Sequence, residues 1–168
     1  GAKFAHPDRP AFALVGDGAM QMNGINELIT IAKYWEDWAD PRLVVLVLHN
    51  NDLNQVTWEL RAMTDSRKVG RTQSLPDFPY ARYAELVGLE GIRVDTPDQL
   101  GDAWDRAVAA RRPVVIDVLT DPEVPPLPPH VELDQAMSLA KAVMQGDEHS
   151  ARIVKQGFKG KLQEMINR

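Results

Sequence analysis

The chain has 168 residues, 44% of them hydrophobic, enough for one α/β domain with a sizeable core. Its formal charge of −5 argues against a general nucleic-acid binder, and the absence of cysteine excludes a disulfide framework and thiol chemistry, which fits a reducing, cytoplasmic setting. No apolar run approaches the ~18 residues of a membrane span, and no signal-peptide pattern is present.

In chain order, Gly1 to Ala5 reads as the end of a helix, so the N-terminus is expected to be cut from something longer. Pro10 to Val15 reads as a short apolar strand closed by Gly16. Asn23 is the expected cap of the following helix, in which Ile25, Leu28, Ile29, Ala32 and Trp35 recur at helical spacing. After Pro41, the run Leu43 to Leu48 is continuously apolar and β-branched, as in a parallel strand buried on both faces. Asn50 to Pro79 lacks periodicity and predicts a long loop with one helical turn near Trp58 to Met63. A helix from Tyr80 to Val87 ends at Gly88, and Gly91 to Asp95 is a short strand. Thr96 or Asp98 caps a helix through Ala110, with Leu100, Ala103, Trp104 and Ala107 on one face. Pro113 to Leu119 is another buried strand.

This alternation predicts an α/β fold: an open, mostly parallel sheet with helices on both faces. EVPPLPPH, with four prolines, must be extended. The chain is therefore expected to comprise a domain over 1–121, a proline-rich strap over 122–132 and a helical tail over 133–168. The tail's helices are predicted near Leu133 to Met144 and His149 to Met165.

Two strand ends carry unusual residues. The first ends in Gly16-Asp17-Gly18 and the second in His49-Asn50-Asn51, about one βαβ unit apart. Ligands of open α/β sheets bind at the carboxyl ends of strands, so Asp17 and Asn51 can converge there. A carboxylate and an amide carbonyl are hard oxygen ligands, suited to Mg²⁺ or Ca²⁺ and not to zinc. Gly18 would let a phosphate approach the backbone, and the helix that follows adds its positive end. The pieces make a diphosphate–metal site. Gly-Asp-Gly alone is a common turn and Asn-Asn alone a loop; their joint placement carries the inference. A nucleotide-binding Rossmann domain is disfavoured, since no G-x-G-x-x-G follows a strand.

GDGAMQMNGINEL followed by VVLVLHNND resembles the thiamine diphosphate fingerprint, a GDG triplet and an NN pair about thirty residues apart. The wider sequence is most similar to the pyruvate oxidase and acetolactate synthase branch, through LPDFPYARYAELVGLEGIRV, RRPVVIDVLTDPEVPPLPPH and VELDQAMSLAKAVM. The resemblance covers essentially the whole chain. It implies the thiamine diphosphate-binding fold, lacking its first strand and helix. It implies that Asp17, the Asn51 side chain and the Leu53 carbonyl ligate Mg²⁺, and that Gly16, Gly18 and Ala19 meet the diphosphate. Asn50 braces the turn. Relatives often have Gly at the position of Gln55, so contacts beyond Leu53 are expected to differ.

The resemblance further implies a 2-oxo acid decarboxylating enzyme acting on a substrate such as pyruvate, built as a homo-oligomer, a dimer or tetramer. An oxidase, an acetolactate synthase-like carboligase and a truncated, non-catalytic binding or assembly module are the open alternatives. The Glu that activates the cofactor comes from a separate pyrimidine-binding domain, so no residue here is expected to be the catalytic base. FAD, where a full-length enzyme uses it, sits on a central domain outside this segment. Glu27 reads as a surface or bracing residue, and Glu59 as a loop residue able to approach a substrate. His49 reads as a packed, hydrogen-bonded residue, with a substrate contact as the alternative; His130 reads as surface. Trp35 and Trp38 are expected to pack the helix end, and Trp58 to pack in the core or cover the site. The stretch 149–168 has five basic residues and one acidic among apolar ones. It reads as a helix packed on the enzyme's own surface, with peripheral membrane contact as the alternative.

Overall fold

Residues of β propensity between turn-forming ones build four strands in a computed structural model that describes residues 1–124, 133–147 and 150–153. β1 (Ala11–Gly16), β2 (Leu43–His49), β3 (Glu90–Val94) and β4 (Val114–Leu119) form one sheet. The order is β1-β2-β4-β3 and every pairing is parallel. The register sets Gly16 beside Leu48 and Val47 beside Asp117, so the carboxyl ends of β1, β2 and β4 lie together. The strands alternate with helices, as the sequence predicts.

The chain divides into two compact units, 1–51 with 76–120 and 52–75 with 121–168. In the first unit both faces of the sheet are covered. On one face, Val45, Val47 and Val115 pack against Met20 and Leu28, and against Tyr80 and Ala84 of α6 (Tyr80–Leu86). On the other, Val44, Leu46, Ile92 and Ile116 pack against Ala103 and Ala107 of α7 (Leu100–Ala109). Each fully buried aliphatic side chain contributes about 1.5–3 kcal/mol, so the central strands β2 and β4 carry much of the stability. β1, at the edge, half-buries only alternate residues; Phe12 and Leu14 are exposed.

The helix after β1 begins earlier than expected. Helical backbone starts with α2 (Asp17–Ala19), continues through a π-helical turn at Met20–Gly24 and becomes α3 (Ile25–Tyr34). Asn23 therefore lies inside the π turn and caps nothing. The buried stripe also shifts. Leu28 is in the core with Ile25, Ile31, Ala32 and Trp35 against it, whereas Ile29 is exposed. N-terminal α1 (Ala2–Ala5) is held by Lys3, whose Nζ donates to the carbonyls of Arg9 (2.5 Å) and Asp40 (2.7 Å) and lies over Trp38. Trp38 is buried at that helix end as expected, edge-on to Phe4.

Two glycines of the first unit are required by backbone geometry. Gly88 ends α6 at φ +89°, and a Cβ at Gly91 would lie 2.0 Å from the Ala81 carbonyl oxygen, where α6 presses on β3. Of the two caps considered, Thr96 is the one used, at the 3₁₀ turn Pro97–Gln99 that leads into α7: Gln99 Oε1 accepts from the amides of Thr96 (3.1 Å) and Asp95 (2.8 Å).

The second unit corrects the expected long loop. It holds a ten-residue helix, α4 (Asn54–Met63), and a short α5 (Gly70–Gln73). The helix escaped the periodicity reading because its buried face mixes Trp58 and Ala62 with Thr57 and Arg61. Arg61 is buried because Asp147 takes its guanidinium on both oxygens, Nε at 3.0 Å and Nη2 at 2.8 Å, with Glu123 at 3.4 Å and the Trp58 ring beneath. Trp58 Nε1 and Asn54 Nδ2 donate to the Pro122 carbonyl. The predicted tail helix is present as α8 (Leu133–Met144). Residues 125–132, with most of the strap and His130, and residues 154–168, with most of the basic stretch, lie outside the described residues. Among the described residues no helix is long and apolar enough to cross a membrane.

Candidate functional site

Asp17 is the first helical residue after β1 and is almost fully buried. A buried carboxylate needs donors, and these come from the backbone. Its Oδ1 accepts from the Gly18 amide (2.9 Å), and its Oδ2 from the amides of Asn50 (2.9 Å) and Asn51 (2.5 Å). The positive end of the helix lies at the same point and favours negative charge. The two strand tips singled out in the sequence thus meet directly: the acid of one binds the backbone of the other. Asn50 braces the turn through its amide.

Asn51 has φ +57°, the left-handed region that Asn tolerates better than most residues. This turn places its side chain at His49. The His49 ring is fully buried, with Nε2 2.7 Å from Asn51 Oδ1 and 3.0 Å from Asp77 Oδ1. Its Nδ1 lies 2.8 Å from Asp117 Oδ1 and 2.9 Å from Arg93 Nη1, and Arg93 Nη1 also binds Asp117 Oδ2 at 2.9 Å. Tyr80 closes the site from α6. Its ring stands edge-on to His49, and its hydroxyl donates to the Asp17 carbonyl (3.3 Å) and accepts from Gln21 Nε2 (3.0 Å). Burial pushes the Tyr80 phenol above its ordinary pKa, helped by the carboxylates of Asp17, Asp117 and Asp77, so it acts as a hydroxyl donor.

Of the expected site residues, Gly16, Asp17, Gly18, Ala19 and Asn51 belong to this one strand-end cluster. Gly18 and Ala19 lie in the first helical turn, where amides lack partners within the helix. A Cβ at Gly16 would meet nothing within 4 Å, and the backbone there (φ −79°, ψ 155°) suits any residue. Neither the backbone conformation nor a neighbouring atom requires glycine at that point. Leu53 belongs to the second unit, where its amide donates to the Gln73 carbonyl (2.8 Å) just before α4. Gln55 and Glu59 are exposed and bond to each other (2.9 Å), and Glu27 is exposed on α3. Trp58 is core, not a cover.

The residues fit a hard divalent cation. The acceptors at the two strand tips are oxygens, and a carboxylate has about four lone-pair positions, of which the three amides take three. Among the described residues no group of three or more His, Asp or Glu side chains converges as a metal cage. Two side-chain oxygens with the remaining positions left to water and phosphate is the set Mg²⁺ prefers. Sequence reading missed Asp117, Arg93 and Tyr80. The available signal was an acid in the middle of the apolar strand VVIDVL, whose register sets Asp117 between Val47 and Arg93.

Comparison with known proteins identifies the family. The family described as thiamine pyrophosphate enzyme, C-terminal TPP binding domain, matches residues 1–118. A Bacillus subtilis protein named for thiamine pyrophosphate, YdaP, is 31% identical over 143 residues, 85% of this chain and 23% of its own. The acetolactate synthase large subunit of Haemophilus influenzae is 33% identical over 123 residues, 72% of this chain and 20% of its own. Among solved structures, the thiamine diphosphate-dependent 4-hydroxybenzoylformate decarboxylase of Rhodococcus jostii RHA1 superposes with a TM-score of 0.60 at 28% identity, covering 71% of this chain and 21% of that one. The chain spans only about a fifth of the length of these relatives. It belongs to the thiamine pyrophosphate enzyme family, and what it carries is that family's C-terminal TPP-binding domain.

Proposed function

We propose that this chain holds the diphosphate of thiamine diphosphate through Mg²⁺, with Asp17 and the Asn51 side chain as ligands, in a pyruvate oxidase-like enzyme that decarboxylates a 2-oxo acid. The observation that carries this reading is the buried Asp17 carboxylate at a helix N-terminus, tied to the amides of Asn50 and Asn51. A diphosphate arriving there would meet the charge of Asp17, and a divalent cation between them turns repulsion into attraction. The helix end and the open space at Gly16 favour the phosphates in the same place. Thiamine diphosphate supplies the reactive carbon for 2-oxo acid chemistry. The residues here bind and orient its diphosphate end and exclude water from Asp17.

The test is calorimetry of Mg²⁺ and thiamine diphosphate binding to the complete protein carrying this chain, against its Asp17→Ala variant. Loss of a direct ligand should weaken binding by about a hundredfold or more, at least as much as loss of an outer partner. Equal affinity in the two proteins overturns the metal assignment. A second reading, an acetolactate synthase-like carboligase, is favoured by the acetolactate synthase relatives. Product analysis with pyruvate separates them: oxidation coupled to an electron acceptor supports the oxidase, and acetolactate the carboligase.

A further inference from the structure

His49 is fully buried, yet the binding of a diphosphate and a cation does not by itself use it. Its surroundings determine what it can do. Nε2 faces two groups, Asp77 Oδ1 at 3.0 Å and Asn51 Oδ1 at 2.7 Å. A carboxylate only accepts, so the hydrogen between the ring and Asp77 belongs to Nε2. The group of Asn51 that meets the same N–H must also be an acceptor. Its amide oxygen therefore faces the ring, and its NH₂ faces away. On the far side, Nδ1 rests against the Arg93–Asp117 pair, 2.8 Å from Asp117 Oδ1 and 2.9 Å from Arg93 Nη1, a nitrogen that hydrogen-bonds one of the two at a time, and Arg93 is paired in turn with Asp117 Oδ2. Tyr80 stands edge-on to the ring at 5.1 Å between centroids. The ring cannot turn without breaking contacts on both sides.

An amide oxygen has two lone pairs, so one bond to His49 leaves the other for a ligand. Without the ring, the Asn51 amide could rotate and present its NH₂, which cannot bind a cation. We propose that His49 is a positioning residue. Anchored on Asp117 and Arg93, it fixes the Asn51 amide so that its oxygen is the atom offered to the metal–diphosphate site. This rests on Asn51 being a metal ligand, as put forward under Proposed function.

Two substitutions separate the two ring nitrogens. His49→Gln carries an N–H near the place of Nε2 and keeps the donor to Asn51. His49→Asn carries one near Nδ1 and keeps only the side facing Asp117. The measurement is the Mg²⁺ concentration needed for half-maximal thiamine diphosphate binding by the complete protein, with thermal melts of each cofactor-free variant alongside. His49→Asn should raise that concentration tenfold or more, in the range for loss of a group that orients a ligand, and His49→Gln should restore most of it. The same requirement in both variants and the wild type overturns the proposal, as does a loss in His49→Gln equal to that in His49→Asn. Asp17→Ala in the same series distinguishes the failures. If it leaves the Mg²⁺ requirement unchanged, the metal site itself is wrong; if it abolishes binding while the His49 variants match wild type, only the positioning role falls. Should His49→Asn not fold, a crystal structure of the wild-type protein with Mg²⁺ and thiamine diphosphate decides. His49 Nε2 within hydrogen-bond distance of the Asn51 oxygen that touches the ion supports the role, and a ring out of reach of that oxygen overturns it.

Discussion

Asn51 stands at φ +57°, a conformation that costs most L-residues about 1–2 kcal/mol. Its backbone amide binds Asp17 and its side chain meets His49, so stability and binding meet at one position. Asn51→Gly and Asn51→Ala both remove the oxygen that buried His49 Nε2 meets, so both should be less stable against urea than wild type, Asn51→Ala by about 1 kcal/mol more because glycine accepts this backbone without strain. Both should lose thiamine diphosphate affinity, since neither has the amide oxygen. An alanine variant that binds as tightly as wild type would remove Asn51 from the site. At this scale Asp17 and Asn51 were legible from the sequence, because a charged or amide residue at the tip of an apolar strand is conspicuous. Asp117 was not, because it lies within a buried strand and acquires a role only across the sheet, through Arg93 and His49.

Among the elements, α4 shows what a hydrophobic pattern misses. One turn of its buried face is a guanidinium, and the partner carboxylate comes from 86 residues further along the chain. The pair Arg61–Asp147 is nearly inaccessible to water, and Asp147 also accepts from the Lys68 amide at 2.8 Å. Removing one member of this buried charge cluster leaves the others short of compensation. Asp147→Ala should therefore destabilise the second unit by about 3–5 kcal/mol. The triple replacement Arg61→Met, Asp147→Leu and Glu123→Gln should cost far less, because none of the three charges is left behind. Urea unfolding, with proteolysis as a report on residues 133–147, checks this; equal losses in the single and triple variants would show that packing, not charge, holds α4. The helix over 17–34 makes the complementary point. Its apolar spacing was legible, but its start was not. Glycines around Asp17 look like turn residues, and only the bonds from Asp17 to the second strand tip show why the helix can begin there.

For the whole molecule, the parallel sheet with both faces covered was readable from alternating strand and helix patterns, and the register agrees with the convergence inferred from the motif spacing. We propose that the complete protein carrying this chain is a dimer or tetramer. Sedimentation velocity checks this, and a monomer that binds thiamine diphosphate at full affinity would contradict it. Deleting 149–168 should leave both assembly and vesicle co-sedimentation unchanged if that stretch packs on the protein; lost co-sedimentation would assign it to lipid instead. The amino-acid sequence by itself determined the order of strands and helices and the two strand-tip motifs, because apolar periodicity and glycine placement are local properties of the chain. Only the tertiary structure decided the buried partners: His49 with Asp117 and Asn51, and Arg61 with Asp147. A polar side chain can be buried only where the fold brings its partner, and that partner is distant in sequence.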